Sequence, residues 1–114
     1  HKGPSLIIAY APCINHGIKA GMNKAMAEMD KAVKSGYWNL LRWNPALAAE
    51  GKNPLSIDSA APSASYRDFL MGEVRYNALK LKFPERAEAL FTQAEKDAQA
   101  RYEGLVTRQK SLEG

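Results

Sequence analysis

Apolar positions follow different periods along this chain, and each period predicts an element. Ser5-Leu6-Ile7-Ile8-Ala9-Tyr10 is a continuous apolar run with β-branched residues and no alternation. A run of this length suits a strand covered on both faces, as in a parallel sheet. Gly3-Pro4 marks a turn before it and Pro12 ends it. No comparable strand follows, so the sheet this run predicts would have to be completed by polypeptide beyond the chain.

From about Met22 to Lys34 the period becomes helical. Met22, Met26, Met29 and Val33 recur at i, i+4, i+7 and i+11 and make one apolar stripe, read as the core face of a helix. Glu28 and Lys31 fall on the side assigned to solvent, where they can pair. Gly36 stands where a C-terminal cap belongs. Tyr37 to Asn44, with Tyr37, Trp38, Leu40, Leu41 and Trp43, reads as a strand ended by Asn44-Pro45. Ala46 to Glu50 reads as one helical turn closed by Gly51. Leu55 to Asp58 alternates apolar and polar like a short strand, and the two strands could pair as a wide hairpin.

Ser59 to Ser65 has the composition of a linker and is the best candidate boundary. Ser65 and Asp68 stand as the ends of a capping box, opening a helix that runs to about Lys82 with Tyr66, Leu70, Val74, Ala78 and Leu81 on its apolar face. Pro84 ends that helix and suits the first position of another. Ala87, Leu90, Phe91, Ala94, Ala98, Tyr102, Leu105 and Val106 then form a stripe over about 30 Å of helix. Such a stripe must bury against something. The preceding helix can cover part of it, and the remainder predicts contact with another domain or chain. The pattern as a whole predicts a predominantly helical α+β fold with few strands and a C-terminal helical hairpin.

Composition narrows the class. Of the 114 residues, 46% are apolar and 25% charged, an ordinary globular balance. No apolar run approaches the roughly 20 residues of a membrane span, and no secretory signal is visible. A lone cysteine excludes an internal disulfide framework and fits a reducing, cytoplasmic setting. The net charge is +4, and the excess lies in residues 1–84, with 11 Lys and Arg against 6 Asp and Glu; residues 85–114 carry 5 against 6. Lys19, Lys24, Lys31 and Lys34 are scattered as on a solvated helix face. Nucleic-acid binders show denser clusters.

The candidate chemistry centres on Cys13, in Tyr10-Ala11-Pro12-Cys13-Ile14-Asn15-His16-Gly17. A thiol at the end of a strand can be an inert residue, a nucleophile or one ligand of a metal centre. Cys13 and His16 together would be an activation pair, but residues three apart on a bent loop rarely face each other suitably, and no third group is identifiable. Structural zinc needs four ligands, and an iron–sulfur cluster about four cysteines. Cys13 therefore either does little or has its partners on other polypeptide.

Further blocks follow in order: Lys31-Ala32-Val33-Lys34-Ser35-Gly36-Tyr37-Trp38, Arg42-Trp43-Asn44-Pro45, Glu50-Gly51-Lys52-Asn53-Pro54, Asp58-Ser59, and Asp68-Phe69-Leu70-Met71-Gly72-Glu73-Val74-Arg75-Tyr76. Together with the Cys-Ile-Asn-His-Gly motif, their order and spacing resembles the C-terminal segment of pyruvate:ferredoxin (flavodoxin) oxidoreductase, over roughly residues 4 to 105. The resemblance implies an enzyme that converts pyruvate and coenzyme A to acetyl-CoA and CO2 on thiamine diphosphate and magnesium, passing electrons through 4Fe–4S clusters to ferredoxin or flavodoxin. It implies that residues 1–62 are the end of a thiamine-diphosphate-binding α/β domain and residues 63–114 a helical extension. It implies that Cys13 is one ligand of the cluster nearest the thiamine, the others lying earlier in the parent chain. It further implies a homodimeric parent, with no coenzyme site or activity in this segment alone. His16 would then be a structural hydrogen-bonder, and Tyr37, Trp38 and Trp43 packing residues. Turn amides after Cys13, and Lys19, could compensate a thiolate. The other reading is a helical interaction module without chemistry, in which the helix over 85–109 docks a partner.

Overall fold

In a computed structural model, which describes residues 1–113, the chain is helical over most of its length with one small sheet. A 3-10 turn, Met22–Lys24, leads into α1, Ala25–Lys34; β1, Leu41–Trp43, and β2, Leu55–Ile57, flank the short α2, Ala46–Ala49. Then come α3, Tyr66–Gly72, α4, Val74–Lys82, and the long α5, Pro84–Ser111.

Several local signals act as the sequence predicts. The Ser65 side chain accepts a hydrogen bond from the Asp68 backbone N–H at 3.1 Å and caps α3. Pro84 opens α5, where its missing N–H costs nothing. Gly36, at φ +79°, turns the chain out of α1 while its N–H donates to the Val33 carbonyl. β1 and β2 pair antiparallel, with Leu41 opposite Ile57 and Trp43 opposite Leu55. Arg42 clamps Asp58 through two nitrogens, at 2.9 and 2.8 Å. Beyond this hairpin, β1 is shorter than the aromatic run suggests.

The core gathers Ala32 of α1, Tyr66, Phe69 and Leu70 of α3, and Ala87, Phe91 and Ala98 of α5, with Tyr10, Tyr37 and Trp38 packed against it. It thus draws on residues from both sides of the linker. The hairpin rests on the far end of α5, where the Asn53 amide donates to the Gln109 carbonyl at 2.8 Å.

Three expectations are corrected. Residues 5–10 form no strand: Leu6, Ile7 and Ile8 are 84%, 90% and 72% exposed. Among the described residues no strand runs beside them to take their backbone hydrogen bonds, so the run stays irregular. The methionine stripe is not the buried face of α1. Its buried residues are Glu28 and Ala32, with Ser35 buried just past its end, while Met26 is exposed and Met29 and Val33 only half-buried, because α1 turns its small and polar side toward α3. The helix expected from Ser65 to Lys82 is broken at Glu73, whose backbone is extended (φ −86°, ψ 124°). Beyond the break α4 presents a different face, leaving Val74 and Leu81 exposed.

The molecule measures 53 × 28 × 22 Å with a radius of gyration of 16.9 Å, against about 13 Å for a compact chain of this length. Its exposed large apolar residues also include Ile14 and Leu90.

Candidate functional site

The loop bearing Cys13 leaves the apolar N-terminal run at Pro12 and closes on itself as a tight turn. The Gly17 N–H donates to the Cys13 carbonyl at 2.7 Å, and Gly17, at φ +73°, takes the left-handed conformation that the turn requires. Cys13 is exposed, and its Sγ lies 3.0 Å from His16 Nδ1. Turn geometry therefore brings the two side chains together, contrary to the expectation from their spacing. A thiolate here accepts from Nδ1–H, whereas a thiol donates to it. No hydrogen bond among the described residues orients the other imidazole nitrogen, so the arrangement lacks the third member of a nucleophilic triad.

The loop lies along one wall of a cleft of about 590 Å³. Its lining includes Tyr10, Cys13, His16, Tyr37, Glu73, Arg75 and Tyr76. Tyr10 OH donates to Glu73 Oε1 at 3.2 Å, and the Tyr37 and Tyr76 hydroxyls lie 3.0 Å apart. Burial, reinforced by the Glu73 charge, pushes the Tyr10 hydroxyl far above the usual phenol range. Burial also raises the Glu73 carboxyl, and the hydrogen bond from Tyr10 offsets part of that rise.

Behind Glu73 sits a second acid that sequence reasoning placed on the surface. Glu28 is 5% exposed, and its Oε1 has no hydrogen-bond partner among the described residues. Burial is the main cause of its raised pKa; Glu73 adds to the rise and Lys31 opposes it. No ion pair to Lys31 forms. Only the phase of the small residues Ala25, Ala32 and Ser35 could have revealed that this side of α1 faces inward.

Among the described residues no group of three or more His, Cys, Asp and Glu gathers to hold a metal ion. Cys13 is one sulfur donor on an exposed turn, and such a donor set fits one corner of a site completed by other polypeptide, not a whole site. The Lys19 backbone N–H donates to the Gly72 carbonyl at 2.7 Å, so this residue is tied into the fold by its main chain. Arg75, which lines the cleft, is a cation that the sequence reading did not single out.

No family model matches the chain. Curated relatives do. The chain is 62% identical to a pyruvate:ferredoxin oxidoreductase of Moorella thermoacetica over 103 residues, covering 90% of this chain and 9% of that protein. It is 55% identical to a pyruvate-flavodoxin oxidoreductase of Klebsiella pneumoniae, over 88% of this chain and 8% of that protein. Against a mitochondrial pyruvate dehydrogenase (NADP+) of Euglena gracilis it is 42% identical, over 90% of this chain and 6% of the other. The chain belongs to the pyruvate:ferredoxin (flavodoxin) oxidoreductase family. It spans about 9% of the length of the Moorella relative and so corresponds to one segment of an oxidoreductase. Within that segment no helix among the described residues is long and apolar enough to cross a membrane.

Proposed function

We propose that this chain serves as a segment of an oxidoreductase that converts pyruvate and coenzyme A to acetyl-CoA, CO2 and a proton, delivering two electrons to ferredoxin or flavodoxin. In this reading thiamine diphosphate with magnesium supplies the decarboxylation chemistry and 4Fe–4S clusters the electron path when they are bound to the parent protein. Residues 1–62 then close the thiamine-diphosphate domain, and residues 63–114 extend it.

The contribution of this chain is one ligand and its support. Cys13 offers a sulfur from an exposed turn to a cluster whose other cysteines lie elsewhere in the parent. With Cys13 a thiolate ligand, His16 Nδ1, 3.0 Å from that sulfur, would donate a hydrogen bond to it. The observation that carries the reading is the 62% identity over 103 residues, a stretch long enough to include the Cys13 turn. The extended shape and the exposed Leu6, Ile7 and Ile8 support it, since these surfaces suit burial against the remainder of a much longer protein. The segment supplies no coenzyme site and is inactive by itself.

The test is Cys13→Ser in the parent oxidoreductase. Iron content and the electron paramagnetic resonance of the reduced protein should both report the loss or alteration of one cluster, with slowed electron transfer from pyruvate. Full iron content with an unchanged spectrum would remove Cys13 from the cluster.

A further inference from the structure

The loop that carries Cys13 has almost no interior support. Residues 13–16 are exposed, and the turn is held within itself only by the Gly17 to Cys13 bond and the Cys13–His16 contact. It is anchored at its two ends: the Tyr10 ring packs on Tyr37 and Trp38 at the entering end, and Glu73 takes part at both ends. On the entering side, Tyr10 OH donates to the Glu73 carboxylate at 3.2 Å. On the leaving side, Ile18, 5% exposed, forms an antiparallel bridge with the Glu73 backbone. The neighbouring bonds continue this seam: Lys19 N–H to Gly72 O at 2.7 Å and Val74 N–H to Gly17 O at 3.4 Å.

We propose that Glu73 is the positioning residue of the Cys13 loop, fixing both of its ends at the junction of α3 and α4 so that the thiol is presented in one place. This inference rests on the reading of Cys13 as a cluster ligand. Two further observations favour it. Directly after Gly72, which ends α3, the chain departs from helical geometry at Glu73 and takes up the Ile18 bridge there. The acid is also kept half-buried within the influence of Glu28, an arrangement that costs stability and that an apolar residue would avoid. A carboxylate accepts the phenol hydrogen bond more strongly than a neutral acceptor, which favours glutamate at this point.

The experiment compares Glu73→Leu, Glu73→Gln, Tyr10→Phe and Cys13→Ser in the parent oxidoreductase. Its readouts are iron per chain, the rate of iron loss to a chelator, and the electron paramagnetic resonance and midpoint potential of the clusters. Glu73→Leu should perturb the same cluster as Cys13→Ser and speed its iron loss about tenfold or more, the range for residues that support a ligand. Tyr10→Phe should perturb that cluster in the same sense. Glu73→Gln, which keeps an acceptor for Tyr10, should restore the spectrum. If Cys13→Ser removes a cluster while a folded Glu73→Leu leaves it untouched, the positioning role is wrong and the ligand reading stands. If Cys13→Ser itself changes nothing, the ligand reading fails first. Should Glu73→Leu not fold, Tyr10→Phe decides, and an unaltered spectrum in that variant overturns the proposal.

Discussion

The carboxyl group of Glu28 occupies the space where Gly72 would otherwise carry a side chain. A Cβ on Gly72 would stand 2.9 Å from Glu28 Oε1 and 3.1 Å from Oε2. Gly72 has no positive φ, so it is there for room and not for backbone freedom. This contact joins α1 to the end of α3, one residue before the break that receives the Cys13 loop. Gly72→Ala alone forces the Glu28 carboxyl, the free end of a flexible side chain, to shift and should destabilise the fold by about 1 kcal/mol, the low end of overpacking. In a Glu28→Ala background the clash is gone and the same change should stabilise by up to about 1 kcal/mol through helix propensity. Urea unfolding of the wild type, the two single variants and the double variant gives the coupling directly. Simple additivity would refute the contact.

The buried state of Glu28 has a consequence for pH. Burial and Glu73 raise its pKa in the fold, so the folded chain keeps a proton at pH values where the unfolded chain has lost it. Stability from this group is therefore fully present below the ordinary glutamate pKa of about 4.3 and is lost as pH rises through the folded value. Glu73 acts in the same direction. Asp58 and Glu88, held below the usual range by hydrogen bonds from Arg42 and Arg67, act in the opposite direction, and their contribution is lost only as pH falls through their lowered values. Glu28→Met removes an unsatisfied buried oxygen, and thermal unfolding at pH 8 should show a gain of about 1 kcal/mol or more. The gain should shrink as pH falls toward 4. A difference that does not vary with pH would mean that Glu28 titrates normally.

What the sequence shows and what it hides divide along a physical line. The Ser65 cap, Pro84, Gly36 and the Leu55 strand are local signals, each acting through its own or adjacent backbone, and each stands where the pattern puts it. The break at Glu73, the inward turn of Glu28 and the meeting of Cys13 with His16 depend on contacts between segments or on the closure of one turn. Glu73 meets Ile18 across more than fifty positions, and no periodicity encodes that. The N-terminal run is the reverse case. Its pattern describes a buried strand, yet Ile7 is 90% exposed, because among the described residues no strand lies beside it to cover it.

Gly36 carries a double constraint that can be separated experimentally. Its φ of +79° is left-handed, and a Cβ there would stand 2.8 Å from Pro62 Cγ. Gly36→Ala should cost about 1–2 kcal/mol for the backbone conformation, and a further amount for the overlap with the proline ring. Combining it with Pro62→Ala should recover the overlap and leave the backbone cost. Chemical denaturation of the single and double variants measures both parts. Full recovery in the double variant would show that the backbone at this position is unstrained by a side chain.

The contrast between Phe69 and Ile7 tests whether this surface has a partner. Phe69 is 1% exposed, with its ring 4.6 Å from that of Tyr37, and Phe69→Ala should cost about 3–5 kcal/mol in any context. That loss is a large part of the total stability of a small domain. Ile7 is solvent-exposed within the chain, and Ile7→Asp should change the unfolding of the 114-residue chain by no more than about 0.5 kcal/mol, like other surface changes. In the parent oxidoreductase the same substitution should be severe, because a charge placed in a run covered on both faces is left without a partner. Thermal unfolding and cluster content, measured in both contexts, distinguish the cases. Equal tolerance in the chain and in the parent would mean that residues 5–10 stay open to water there too, and that the apolar run is not part of a larger sheet.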